Sequence, residues 1–252
     1  MIPVERRLKI VNLVTEHGVI SITELKNKLD VSLVTLRRDL KILQNEGKIT
    51  SVFGGVQATN KIKIEPDRSF FENRANAEKD AIANLALDYI EPGSCIYLDA
   101  GTTTLALARK ITNREDLTVI TNDFYIVSNL INNSKCKIIF IGGKVNNRSN
   151  ACFGDVASQT IYNYNIDVAF VSSTSWSTKG IMTSVEEKVA IKRALKKQAN
   201  TLILLCDSTK FGLEATYIAL PIKDFDIVIT DKGLSTKDSL KIEQDGVRLY
   251  KA

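Results

Sequence analysis

Histidine is nearly absent from this chain: His17 stands alone among 252 residues. The four cysteines, Cys95, Cys136, Cys152 and Cys206, form no CxxC pair. Structural zinc needs clustered Cys and His ligands, so this pattern calls for no metal, and nothing else calls for a cofactor. Three of the cysteines sit in or beside apolar β-like runs, which reads as buried, reduced thiols. His17 precedes Gly18 at an expected helix end, where a histidine suits the helix dipole and glycine the C′ position. Long apolar runs are missing too. None approaches the roughly 18 residues of a membrane span. The opening MIPVERRLKIV scatters charge and has no small-residue cleavage site. The expectation is a cytoplasmic protein with no membrane partner.

Charge of one sign is scarce overall, with a net of +5. Its distribution says more. Residues 1–57 hold nine Lys/Arg against six Asp/Glu, so over half of the excess lies in under a quarter of the chain. A basic N-terminal stretch fits nucleic acid without establishing it.

That stretch reads as three short helices and a hairpin. Val4 to Glu16 carries Leu8, Val11 and Leu13 at helical spacing, with Ile10 and Val14 widening the stripe. Ser21-Ile22-Thr23-Glu24 is a capping box that opens a second helix, with Leu25 and Leu29 inward and an end near Asp30. Ser32 is the next N-cap candidate. Leu33, Leu36, Leu40 and Leu43 then give the third helix one apolar face, which Gly47 ends. Lys48–Phe53 alternates weakly before a Gly54-Gly55 turn. Two short helices, the second with an outward face of Thr35, Arg37, Arg38 and Lys41, predict a helix-turn-helix, and the hairpin predicts a winged one. Arginines there can grip guanine edges in the major groove. Alternatively, Arg37 and Arg38 merely solvate a small helical bundle.

The runs "ERRLKIVNLV", "VSLVTLRRDLKILQNEGKI" and "FGG" resemble the N-terminal domain of the DeoR family of bacterial transcriptional regulators. The resemblance implies that Ser32, Thr35, Arg37 and Arg38 read DNA, and that Asp39 orients an arginine. Ser51 and Phe53 stand where the family often has an arginine and a histidine, which implies weaker backbone contacts by the wing.

Residues 58–76, ATNKIKIEPDRSFFENRAN, lack a helical stripe until about Ser69 and read as a linker. Arg74 and Lys79 resemble the family's entry into its second domain, residues 77–252. There a helix is predicted from Ala77 to Tyr89, with Ile82, Leu85, Ala86 and Tyr89 on one face.

From Pro92-Gly93 onward, apolar strands alternate with helical patterns. Strands are predicted at Ser94–Leu98, Thr118–Thr121, Lys137–Ile141, Val168–Ser172, Thr201–Cys206 and Asp226–Thr230. Helices are predicted near Thr104–Ile111, Tyr125–Asn132, Val156–Tyr162 and Glu186–Ala199. This predicts an α/β domain with a mostly parallel sheet covered on both faces. Ligands of such folds gather at the carboxyl ends of the strands. Four of those ends are polar, small-residue turns: Asp99-Ala100-Gly101-Thr102-Thr103-Thr104, Thr121-Asn122-Asp123, Gly142-Gly143-Lys144 and Asp207-Ser208-Thr209-Lys210. The GTTT turn opens a helix, whose free N–H groups and partial positive charge suit a phosphate. Lys210 and Lys144 are candidate positive charges, and Asp99 and Asp123 candidate acceptors for sugar hydroxyls. Threonine and glycine also simply cap helices, so both readings stand here.

"LDAGTTTLALA", "VITND", "IGG", Phe153-Gly154, "IDVAFV", "IKRAL" and "LLCDSTKFG" resemble the DeoR effector domain. That domain is related in fold to ribose-5-phosphate isomerase and the glucosamine-6-phosphate deaminases, and its effectors are typically phosphorylated sugars or polyols. Carried over, the effector pocket is Asp99, Gly101, Thr102, Thr103, Asn122, Asp123, Gly142, Gly143, Lys192, Asp207 and Lys210. Two departures stand out. Ser172, Ser175 and Trp176 occupy the stretch where the family commonly has glycines. Lys188 replaces the usual acidic residue four before Lys192, with Glu186 and Glu187 displaced from that position. Which glutamate, if either, faces the pocket stays open, and a surface place for Lys192 in a basic helix stands beside the pocket role.

Three functions follow. The first is a non-enzymatic, ligand-controlled repressor of a carbohydrate operon. It would bind double-stranded operator DNA as a homodimer or homotetramer, under control of a phosphorylated sugar or polyol. The second is an isomerase or deaminase with an added DNA-binding arm; it lacks a histidine in its own domain for acid–base work. The third is a winged helix used for protein contacts alone.

Overall fold

The computed structural model describes residues 2–45 and 48–252, and the chain divides into two compact units, 1–64 and 65–252. The boundary falls inside the segment 58–76 read as a linker. Gly47, expected to end the third helix, lies outside the described residues.

In the first unit, α1 (Pro3–His17) is followed by β1 (Val19–Ser21), α2 (Ile22–Leu29) and α3 (Leu33–Asn45). Then come β2 (Ile49–Val52), β3 (Gly55–Ala58) and the two-residue β4 (Lys61–Ile62). Gly18 closes α1 at φ 70°, and the Ser21 hydroxyl caps α2 by accepting from the Glu24 amide at 3.1 Å. Asp30 turns left-handed at φ 49° to end α2. β2 and β3 form the hairpin across Phe53-Gly54, and β1 joins β3 to make a three-stranded wing. Gly55 is required there, because a Cβ would sit 2.5 Å from the Ile20 carbonyl oxygen. The sequence reading missed β1, which is three residues long and carries one inward side chain, Ile20.

The core of this unit is Ile10, Val11, Val14, Leu25, Leu29, Leu36, Leu40 and Leu43, closed by Ile20, Ile49 and Val56 of the sheet. Two predicted core residues are not in it: Leu8 is 50% exposed and Leu33 38%. Leu33 opens α3, before a full turn exists to press it inward.

The second unit runs α4 (Arg68–Glu72), α5 (Asn76–Ala86), β5 (Cys95–Leu98), α6 (Thr102–Lys110), β6 (Thr118–Thr121), α7 (Phe124–Asn133), β7 (Lys137–Phe140), β8 (Lys144–Asn146), β9 (Ala151–Phe153) and α8 (Asp155–Ile161). It continues with β10 (Ile166–Val171), β11 (Ser175–Ser177), β12 (Gly180–Thr183), α9 (Glu186–Gln198), β13 (Ala199–Leu205), β14 (Glu214–Ala215), β15 (Tyr217–Pro221), β16 (Ile227–Thr230), α10 (Thr236–Gln244) and β17 (Arg248–Lys251). Seven strands form one parallel sheet in the order β17-β16-β13-β10-β5-β6-β7. Alternation along the strands feeds two apolar layers. Ile96, Leu98, Val119, Phe170 and Ile203 pack beneath α5, α6 and α7, while Tyr97, Ile120, Ala169, Val171 and Leu204 face α8, α9 and the small β11-β12-β15 sheet. Burial on both faces is what the continuous apolar runs of the strands require.

β5, β6 and β7 step to one side, and β10 returns to the other side of β5. The strand order therefore reverses between β5 and β10. A crevice opens beyond the carboxyl ends of two such strands, because their following segments leave in opposite directions. The segments here are Asp99-Ala100-Gly101-Thr102 and Ser172-Ser173-Thr174.

Candidate functional site: a basic cleft and a basic helix face

A cleft lies at that reversal point, walled entirely by residues of the second unit. Four cations line it, namely Arg68, Lys188, Lys192 and Lys210, each at most 8% exposed. A buried charge needs a partner, and each has a buried carboxylate. The Lys192 ammonium meets Asp99 and donates to the Ser172 carbonyl at 2.8 Å. Lys188 donates to Glu65 at 2.7 Å, Lys210 lies 2.9 Å from Asp207, and Arg68 donates to Asp123 at 2.5 Å.

The electrostatics follow from burial. Desolvation pushes Lys192 down, to about 7, against the opposing charge of Glu65. Burial alone would lower Lys210 and raise Asp207. Their mutual attraction reverses both, so Lys210 lies above its ordinary value and Asp207 below. Burial holds Asp123 above the usual carboxylate range despite Arg68.

Of the residues expected in the pocket, Gly101, Thr102, Lys192 and Lys210 line the cleft. Lys192 is not on the surface. Asp99, Asp123 and Asp207 do not line the cleft; each is buried and paired with one of the cations. Asp99 accepts from the Ser172 amide at 2.9 Å as well as from Lys192. Asp123 is the keystone of its turn. One carboxylate oxygen caps α7 by accepting from the Tyr125 and Ile126 amides at 2.7 and 3.0 Å. The other accepts from Arg68 and, at 3.1 Å, from the Gly101 amide. Both Asp123 oxygens, expected to meet sugar hydroxyls, are thus bonded within the protein, and so is the Gly101 N–H. Gly101 is glycine for space: its Cβ would lie 2.6 Å from that of Ser172 and fall onto the Ser172 hydroxyl.

Four other expected residues do not face the cleft. Asn122 is fully buried: it accepts from the Tyr97 hydroxyl at 2.9 Å and donates to the Cys152 carbonyl at 2.8 Å. Thr103 is fully buried on α6. Gly142 and Gly143 are exposed and turn the chain into the β8–β9 hairpin, where a Cβ on Gly143 would sit 2.9 Å from the Phe153 carbonyl oxygen. Lys144 is on the surface, paired with Glu187 at 2.8 Å. The glutamate question resolves against both candidates. Glu186 and Glu187 line a separate groove, Lys188 faces the cleft, and Glu65 supplies the carboxylate paired with it.

Sequence reasoning missed Glu65, Arg68 and Phe71, which lie in the segment read as a linker. The signal was there: "EPDRSFFENR" packs charge and aromatic rings where a solvated linker would have neither need. It also missed the purpose of Trp176. That indole donates to the Asp207 carbonyl at 3.1 Å and meets the Phe211 ring edge-on at 4.8 Å, fixing the loop that carries Lys210.

In the first unit, α3 presents Ser32, Arg37, Arg38 and Lys41 to solvent, with Thr35 half-buried. The Ser32 hydroxyl accepts from the Thr35 amide at 3.1 Å and meets the Thr35 hydroxyl at 2.9 Å, so both also cap α3. Asp39 points inward to Arg6 at 2.5 Å and Arg7 at 3.5 Å. It thus orients arginines of α1 and leaves the outward face of α3 without an acidic side chain. Phe53 at the wing turn is fully exposed.

A helix-turn-helix with a wing, followed by an α/β unit with a basic cleft, defines a DNA-binding regulator with a sensor domain. A model of the DeoR-like helix-turn-helix domain matches residues 6–61, and one of the DeoR C terminal sensor domain matches residues 74–232. The chain is 44% identical to the HTH-type transcriptional regulator YgbI of Escherichia coli (strain K12), over 100% of this chain and 99% of that one. It is 32% identical to the HTH-type transcriptional regulator GolR of Listeria innocua, over 98% of each. It is 29% identical to the transcriptional repressor AccR of Agrobacterium fabrum, over 92% and 91%. This chain belongs to the DeoR family of transcriptional regulators. Among solved structures, ribose 5-phosphate isomerase A of Methanocaldococcus jannaschii aligns over 54% of this chain and 55% of that one, at 16% identity and a TM-score of 0.39. Among the described residues, no helix is long and apolar enough to cross a membrane.

Proposed function

We propose that this chain represses a carbohydrate-utilisation operon under the control of a phosphorylated sugar or polyol held in the cleft of residues 65–252. One observation carries the reading: four buried cations and the start of α6 converge on one cleft at the reversal point of a parallel sheet. A phosphate there meets N–H groups of the helix end and the ammonium groups of Lys192 and Lys210, with the Thr102 hydroxyl beside them. Asp99 and Asp207 hold those lysines in place.

Ser32, Thr35, Arg37, Arg38 and Lys41 read double-stranded operator DNA from the major groove, in a homodimer or homotetramer whose symmetry sets the half-site spacing. A relative named as a repressor supports the sign of control. The ligand acts by binding more tightly to a state with lower DNA affinity; no other route lets it shift the equilibrium.

Thermal unfolding of the full chain against a panel of phosphorylated sugars and polyols, each beside its unphosphorylated parent, tests this. A ligand at about 100 times its Kd adds about 2.7 kcal/mol to the native state, which raises the melting temperature. Stabilisation by a phosphorylated member and not by its parent is expected. A panel that leaves the melting temperature unmoved overturns the reading.

A further inference from the structure

Lys188 and Lys192 are four residues apart on α9, so both face the cleft about one helical turn, roughly 6 Å, from each other. Their surroundings differ. Lys192 is bonded to the Ser172 carbonyl, and Ser172 abuts Gly101 at the entrance to α6. It therefore belongs to the phosphate end. Lys188 is bonded to Glu65 and lies over the Phe153 ring, 4.9 Å from its centre.

The supply of donors exceeds what one phosphate takes up. An ammonium carries three N–H groups. Lys188 spends one on Glu65 and Lys192 two on Asp99 and Ser172, while Lys210 is ion-paired with Asp207. Arg68 adds a terminal nitrogen, Nη2, that is buried and has no hydrogen-bond partner. A buried guanidinium nitrogen left unfilled is costly, and its planar fork matches a carboxylate or phosphate.

We propose that Lys188 receives a second anionic group of the ligand, so that the effector is a phosphorylated sugar acid or a bisphosphate, not a sugar phosphate with a neutral far end. This rests on the reading of the cleft as a phosphate receptor. The two anions sit about a helical turn apart, one at Lys192 and the start of α6, the other at Lys188. Glu65 positions Lys188.

Calorimetric titration of the full chain with matched pairs tests it: glycerol 3-phosphate against 3-phosphoglycerate, glucose 6-phosphate against 6-phosphogluconate, and fructose 6-phosphate against fructose 1,6-bisphosphate. The doubly anionic member of at least one pair binds about 10-fold tighter or more, the worth of one charge-assisted contact. Whether the favoured member carries a carboxylate or a phosphate names the second anion. Lys188→Met keeps the side-chain stem over Phe153 and brings that ratio toward one. Should this variant fail to fold, the wild-type ratios decide alone. Pairs that bind with ratios of one or below overturn this proposal and leave the phosphate receptor standing. A panel in which no phosphorylated compound binds overturns both.

Discussion

Asp123→Ala is the most informative single substitution for the architecture of the cleft. Its carboxylate is fully buried and makes four bonds: two to the α7 amides, one to the Gly101 amide, and one to Arg68 at 2.5 Å. Loss of the helix cap costs about 1 kcal/mol. The larger effect is the guanidinium left behind. Arg68 has a side chain only 5% exposed, and its remaining ion pair is with Glu72 at 3.3 Å, which is itself 36% exposed. Stranding one partner of a buried pair costs about 3–5 kcal/mol. The two effects overlap at one site, so a total near 4 kcal/mol is expected. Arg68→Met in the same chain removes the stranded charge, and the double variant should lose only about 1–2 kcal/mol, about 2–3 kcal/mol less than Asp123→Ala alone. Urea unfolding of the full chain, followed by the emission of Trp176, reads this directly. That residue is the only tryptophan, is fully buried, and lies in the same unit. A loss below about 1 kcal/mol, or strictly additive losses, would refute the keystone role of Asp123.

Other consequences are equally concrete. Arg38→Ala should weaken operator binding by about 1–3 kcal/mol in a mobility-shift titration if that arginine grips a base; equal affinity for wild type and variant removes it from the recognition set. Gly101→Ala should destabilise the second unit by steric clash with Ser172, and Ser172→Gly in the same chain should restore it; strain without rescue would place the clash elsewhere. Asp207 lies below its ordinary value, so its contribution to stability is complete above about pH 4 and is lost as pH falls through the lowered value. Asp207→Asn should therefore flatten the acid limb of a Trp176 unfolding curve, and an unchanged limb counts against the Lys210–Asp207 pair.

Much of this molecule was legible in advance because its local signals agree with its packing. Five inner strands of the large sheet read as apolar runs because both of their faces are buried, and the edge strand Lys137–Phe140 keeps such a run although it is only partly buried. The Ser21 capping box gave α2 its start. The seventh strand, Arg248–Lys251, is an edge strand with two exposed residues, Arg248 and Tyr250, and so lacks that run. Helix α10 was passed over although Ser235 and Asp238 announce it; the Ser235 hydroxyl accepts from the Asp238 amide at 3.1 Å.

The site was less legible for a different reason. Sequence places Asn122, Asp123 and Gly142 at the ends of adjacent strands, but it does not say whether a polar group there turns to a ligand or to its own backbone. Asn122 and Asp123 both turn inward: Asp123 accepts from buried amides of the strand-to-helix turn, which need acceptors, and Asn122 bridges the Tyr97 hydroxyl and the Cys152 carbonyl. Conversely, Glu65 and Arg68 come to the cleft from a segment more than 25 residues before the first strand end, a distance no local pattern reports.

The proposed control links the basic cleft to the outward face of α3. It is tested most directly by the affinity of the full chain for DNA that it selects from a random-sequence pool, measured with and without a phosphorylated compound that raises its melting temperature. The account predicts that the saturated chain binds that DNA at least about 5-fold more weakly, the lower end of ordinary coupling between sites. Identical affinities with the cleft empty and filled would contradict it.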